Sequence, residues 1–90
     1  MRISIITAVF NGAQTIEDTI HSVLGGGYED FEHIVIDGGS SDGTLEILKR
    51  LKHDKLIWIS EPDDGIYDAM NKGIKLASGE IIIILNSCKI

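Results

Sequence analysis

Two rhythms of apolar residues alternate along the chain. Ile3 to Phe10 is an almost unbroken run of Ile, Val and Thr, the mark of a strand buried on both faces, and Asn11-Gly12 breaks it. From Gln14 to Leu24 the apolar positions Ile16, Ile20, Val23 and Leu24 recur at helical spacing, and Gly25-Gly26-Gly27 ends the helix. Glu32 to Asp37 predicts a second strand. A helix follows, with Asp42 as its N-cap and Leu45, Leu48 and Leu51 inward. Lys55 to Ser60 predicts a third strand, closed by the turn Glu61-Pro62-Asp63-Asp64-Gly65. Ile66 to Ala77 predicts a third helix carrying Ile66, Met70, Ile74 and Ala77 on one face. Glu80 to Leu85 is a fourth, strongly apolar strand near the end of the chain.

Strand and helix alternate throughout, which calls for a mostly parallel four-stranded sheet with right-handed crossovers, a Rossmann-like three-layer α/β/α arrangement. Ninety residues make one small domain, and so late an apolar strand reads as the first half of something longer. Fourteen acidic against eight basic side chains give a net charge of -6, which argues against nucleic acid or an anionic membrane surface as partner. The same charge means that a diphosphate ligand needs a divalent cation beside it. The single cysteine, Cys88, forms no internal disulfide, and the N-terminus lacks the apolar stretch of a signal peptide. The run Ile81 to Leu85 is far short of the ~20 residues that cross a bilayer. These features predict a cytoplasmic chain, whose full context lies in the cytoplasm or at the inner face of the membrane.

The chemistry gathers after the strands, on one edge of the sheet, where ligands bind in open α/β sheets. Ile34 to Thr44 reads Ile-Val-Ile-Asp-Gly-Gly-Ser-Ser-Asp-Gly-Thr, an apolar run that delivers the Asp37 carboxylate to that edge. No Gly-x-Gly-x-x-Gly and no Gly-Lys-Ser/Thr follows any strand, and no acidic pair follows the first, as a response-regulator receiver would need. What remains is carboxylates: Asp37, Asp42, Glu61, Asp63, Asp64 and Asp68, with Asn71 nearby. Such oxygens accept hydrogen bonds from a base or a ribose, or hold Mg²⁺ or Mn²⁺. Simpler roles stand beside these. Asp42 reads as a helix cap, Asp63-Asp64-Gly65 as turn chemistry and Asp68 as a complement to the helix dipole. Trp58 reads as core packing, and His21, His33 and His53 as surface or strand-edge residues without metal-ligand spacing. Asp37 alone has few structural excuses and reads as functional.

Four segments, Ile3 to Gly12, Ile34 to Thr44, Ser60 to Gly73 and Ser78 to Ser87, together resemble the N-terminal half of the family 2 glycosyltransferases of the GT-A fold. The likeness is greatest to bacterial enzymes that build exopolysaccharide and lipopolysaccharide sugars. Its most specific stretch is Ser-Glu-Pro-Asp-Asp-Gly-Ile-Tyr-Asp-Ala-Met-Asn-Lys-Gly at Ser60 to Gly73. The resemblance implies a UDP- or GDP-linked sugar donor, a divalent metal (Mg²⁺ or Mn²⁺), a glycan or lipid-linked acceptor and, usually, inversion. It implies that Thr7, Ala8, Phe10 and Asn11 line the base and ribose and that Asp37 contacts the nucleobase. Asp63, Asp64 and Gly65 would border the nucleotide, with Asp68, Asn71 and Lys72 nearby. The family's metal-binding Asp-x-Asp element is replaced here around Asn86-Ser87-Cys88, followed by Lys89. The acceptor half and general base of the family come later, so no catalytic residue is assigned, no metal is expected on this chain, and it is expected to be inactive alone. A non-catalytic α/β binding or assembly module, self-associating through the Ile81 to Leu85 edge, is the alternative.

Overall fold

A computed structural model describes residues 2–51, 53–62 and 65–85. The elements follow the expected alternation: β1 (Ile3–Val9), α1 (Ile16–Leu24), β2 (Phe31–Asp37), α2 (Thr44–Arg50), β3 (Leu56–Ser60), α3 (Ile66–Leu76) and β4 (Ile81–Ile84). The strands form one sheet in the order β3-β2-β1-β4, and every pairing is parallel. Moving from β1 through β2 to β3 puts α1 and α2 on one face. The return from β3 past β1 to β4 reverses direction, and right-handed connection then sends α3 to the other face.

Side-chain alternation sorts the core accordingly. Val9 and Val35 pack with Ile16 and Ile20 of α1 and Leu48 of α2, with Trp58 against them, as its sequence context predicts. Ile6, Ala8, Ile34 and Ile36 pack with Ala69 of α3. Central β2 is buried at every residue.

The seating of α3 departs from the apolar stripe. Ile74 is exposed, and the helix meets the sheet through the small residues Ala69 and Gly73, both buried. Gly73 lies directly over Ile6, so the helix comes closer than a stripe of larger side chains would permit. His33 departs too: it is 2% exposed, a core residue rather than a surface or edge one. A central strand covered on both faces leaves none of its side chains in water. His33 Nε2 and Thr7 Oγ1 are 2.7 Å apart, and burial pushes the imidazole pKa down to about 4. Glu32 is buried on the opposite face, held by the Ser4 hydroxyl at 2.6 Å and the Ser78 amide at 2.6 Å.

Candidate functional site

The β1 connection leaves toward β2 on one side, while β4 lies on the other, so strand order reverses direction at β1. Ligand crevices of open α/β sheets form at the carboxyl ends of the strands at such a point. Three loops lie along that edge here, and side-chain hydrogen bonds join them.

Asp37 is the knot. It ends β2, in register with Val9 of β1 and Ser60 of β3, and is 0% exposed. Its Oδ2 accepts from the Gly39 amide at 3.1 Å, the Ser40 amide at 2.9 Å and the Ser60 hydroxyl at 2.8 Å. Its Oδ1 accepts from the Ser40 hydroxyl. The two amide bonds form a local turn of the kind aspartate favours, and Gly39 takes the left-handed φ of 94° that the turn needs. Asp37 therefore has a clear structural task, one that its sequence context does not disclose. Ser40 and Ser60, which carry that task, are the site residues that sequence reasoning missed. The strand register that sets Ser60 opposite Asp37 is the signal that finds one of them.

The β1 loop joins through Asn11. Its amide donates to Ser40 Oγ at 2.7 Å, and its Oδ1 accepts from the Ser41 amide at 2.9 Å. Asn11 sits in the left-handed region with φ 50°, the one such non-glycine among the described residues. Asp42 adds a second strap by accepting from the Ala13 amide at 3.1 Å. Its other oxygen accepts from the Thr44 hydroxyl at 2.6 Å and the Thr44 amide at 3.2 Å, so it caps α2 from one position before the N-cap, which is Gly43. The Thr44 hydroxyl bond is the main cause that draws its carboxyl below the usual range, against a smaller opposing effect of burial.

The β3 loop carries a second cluster. Lys72 Nζ lies 3.1 Å from Glu61 Oε1, 3.4 Å from Asp68 Oδ2 and 3.2 Å from the Pro62 carbonyl oxygen. The Glu61 bond, more than Asp68, raises the ammonium pKa against the opposing effect of burial. Gly39 abuts Pro62, so the two clusters adjoin.

Of the residues expected at a ligand, Phe10 (56% exposed) and Asn11 stand at the rim, and Asp37 lies beneath them. Thr7 and Ala8 are buried within β1, and the Thr7 hydroxyl is taken by His33. Gly65 opens α3 with φ 116°, Asp68 and Lys72 are half-buried, and Asn71 is exposed. Asp63, Asp64 and the Asn86-Ser87-Cys88-Lys89 segment lie outside the described residues. Among the described residues no three His, Cys, Asp or Glu side chains converge as a metal site. Those residues do not by themselves make a centre for the divalent cation that the resemblance implies. No described helix is long and apolar enough to cross a membrane.

Comparison with known proteins places this arrangement. The chain is 44% identical over 86 residues to an uncharacterised glycosyltransferase of Mycobacterium tuberculosis, covering 94% of this chain and 33% of that one. It is 40% identical over 87 residues to a poly-beta-1,6-N-acetyl-D-glucosamine synthase of Staphylococcus epidermidis, covering 94% of this chain and 21% of the synthase. The chain thus spans a third or less of the length of these curated relatives. A mannosyltransferase from Pyrobaculum calidifontis, solved in complex with GDP-Man and Mn²⁺, superposes with a TM-score of 0.88 at 28% identity, over 96% of this chain and 27% of its own. TarS from S. aureus, solved with UDP-GlcNAc, gives 0.88 at 25% identity over 97% and 26%. The model of glycosyl transferase family 2 matches residues 4–87, and the chain belongs to that family.

Proposed function

We propose that this chain is the donor-binding part of a glycosyltransferase that moves a sugar from a UDP- or GDP-linked donor to a glycan or lipid-linked acceptor, with inversion, in the cytoplasm. One observation carries the reading: the loops after β1, β2 and β3 are tied into a single platform through Asp37, at the carboxyl edge beside the reversal of strand order. Phe10 and Asn11 present the rim to base and ribose, with Thr7 and Ala8 beneath and Asp37 under the loop. Asp63, Asp64 and Gly65 border the nucleotide, with Asp68, Asn71 and Lys72 nearby. The solved relatives with GDP-Man or UDP-GlcNAc support the choice of ligand class.

Titration of the ¹⁵N-labelled chain with UDP, GDP and UDP-GlcNAc, with and without Mn²⁺, tests this. Amide shifts are expected at Phe10, Asn11, Gly39 to Ser41 and Gly65, and none at Tyr28 to His33 on the opposite edge. No response at millimolar nucleotide overturns the reading.

A second reading, an assembly module, draws on β4. This edge strand exposes Ile81, Ile82 and Ile84. Exposed apolar edges favour strand pairing between chains. A concentration-independent monomer in sedimentation equilibrium excludes it.

A further inference from the structure

We infer that Ser60 and Ser40 are positioning residues of the nucleotide site, acting through Asp37, and that the Asp37 carboxylate itself does not touch the ligand. The inference rests on the nucleotide reading above and assigns the work within that site.

A carboxylate offers about four acceptor positions. Asp37 already takes four donors, three on Oδ2 and one on Oδ1, and it is its burial, with none of its surface exposed, that closes the remaining position to a ligand. A nucleobase imide has no approach to it. What Asp37 holds, however, faces outward. Ser60 binds it from β3, the neighbour that fixes where the β3 loop departs. The Ser40 hydroxyl donates to Asp37 while accepting from the Asn11 amide, so it relays the anchor from β2 to the β1 loop. Asn11 in turn holds the Ser41 amide. The groups this chain of bonds presents to solvent are the Phe10 ring and the exposed side chains of Asn11 and Ser41. An apolar face beside amide and hydroxyl groups suits the base and ribose of a nucleoside diphosphate.

Asn11 shows why an anchor is needed. A non-glycine residue at positive φ is held against its own backbone preference, and it stays there only if its surroundings fix it. Releasing either serine lets the rim spread among conformers, and a ligand must then reorder it on binding.

The test measures dissociation constants for UDP and GDP by amide shifts, together with hydrogen exchange of the Gly39 and Ser40 amides. Ser60→Ala is expected to raise both constants about tenfold, as for loss of one hydrogen bond to a charged group. Their ratio is expected to stay fixed while exchange quickens, and Ser60→Thr, which keeps a hydroxyl, to restore affinity. Asp37→Asn is expected to weaken both nucleotides alike. A change in UDP-to-GDP preference in Asp37→Asn marks direct base contact and overturns the inference. Unchanged affinity in Ser60→Ala, or no rescue by Ser60→Thr, also overturns it, even where the nucleotide reading stands. If the unsubstituted chain binds neither nucleotide, both readings fall. Should Asp37→Asn fail to fold, the Ser60 pair decides alone.

Discussion

Ile6 fills the space where Gly73 would carry a side chain. A Cβ on Gly73 would fall inside contact distance of Ile6 Cγ2, with Cγ1 at 3.2 Å and Cδ1 at 3.3 Å. Ile6 is fully buried, so it has nowhere to yield. Alanine would gain about 1 kcal/mol of helix propensity over glycine but overpack the interface at a cost of about 1–3 kcal/mol. Gly73→Ala is therefore expected to lose about 1 kcal/mol net, read as a melting temperature about 4–8 °C lower in a domain of this size. An unchanged or raised melting temperature would show that α3 can lift off β1 freely.

His33 gives the fold an acid sensitivity above the carboxylate range. Burial lowers its folded pKa from 6.5 to about 4, so between those values the unfolded chain binds a proton that the folded chain refuses. Its neutral-state stability is complete above pH 6.5 and is lost as pH falls toward about 4, a total of roughly 3 kcal/mol. Urea denaturation across this range is expected to show the slope, and the Thr7→Val/His33→Leu pair to abolish it. Nδ1 has no partner. A lone acceptor is tolerated better than a lone donor in a core, so the proton belongs on Nε2, pointing to Thr7. Nitrogen shifts of the ring check that assignment.

The element order and the placement of Asp37 at the carboxyl edge of the sheet were legible because each strand is a dense apolar run and each helix carries a cap or terminator. Five of the eight strand ends moved, each by one residue. The polar core was not legible, although a clue was present. A central parallel strand has no wet face, so Glu32 and His33 had to find partners inside. Ser4 sits in register with Glu32, and Thr7 lies two positions beyond the register partner of His33. Local sequence shows no such pairing, because the partners are 28 and 26 residues apart. The bonds that Asp37 makes were hidden for a related reason. The direction of its carboxylate is set by Ser60, 23 residues away, as well as by its own loop.

Asn11 separates backbone strain from side-chain bonding. Asn11→Gly and Asn11→Ala both lose the bond to the Ser41 amide, but only glycine accepts φ 50° without strain. Alanine is expected to be the less stable of the two by about 1 kcal/mol. Equal denaturation midpoints would show that the loop relaxes out of the left-handed conformation when the side chain goes.

Glu32 ties the start of β4 to the sheet from the edge opposite the Asp37 platform. Its Oε2 accepts from the Ser4 hydroxyl, the Ser78 amide and the Ser78 hydroxyl, while the Gly79 amide donates to Ser4 Oγ and Arg2 donates to Ser78 Oγ. Burial pushes the carboxyl pKa up, but the Ser4 and Ser78 bonds, helped by the Arg2 charge, outweigh it and leave the net value below 4.5. A lowered folded value means stability that is complete above the unfolded pKa of 4.5 and is lost as pH falls through the folded one. This window lies below most of the His33 window, so the two separate in a titration of stability. Glu32→Gln is expected to flatten the slope below pH 4.5 and leave the His33 slope intact. Glu32→Ala, which strands the serine donors, is expected to cost about 2–3 kcal/mol at neutral pH. Because the latch holds β4 by its first residues, Glu32→Ala is also expected to speed exchange of the Glu80 and Ile81 amides, which bond to the Arg2 carbonyl, more than those of β2. Uniform acceleration across all four strands would instead make Glu32 part of the global core.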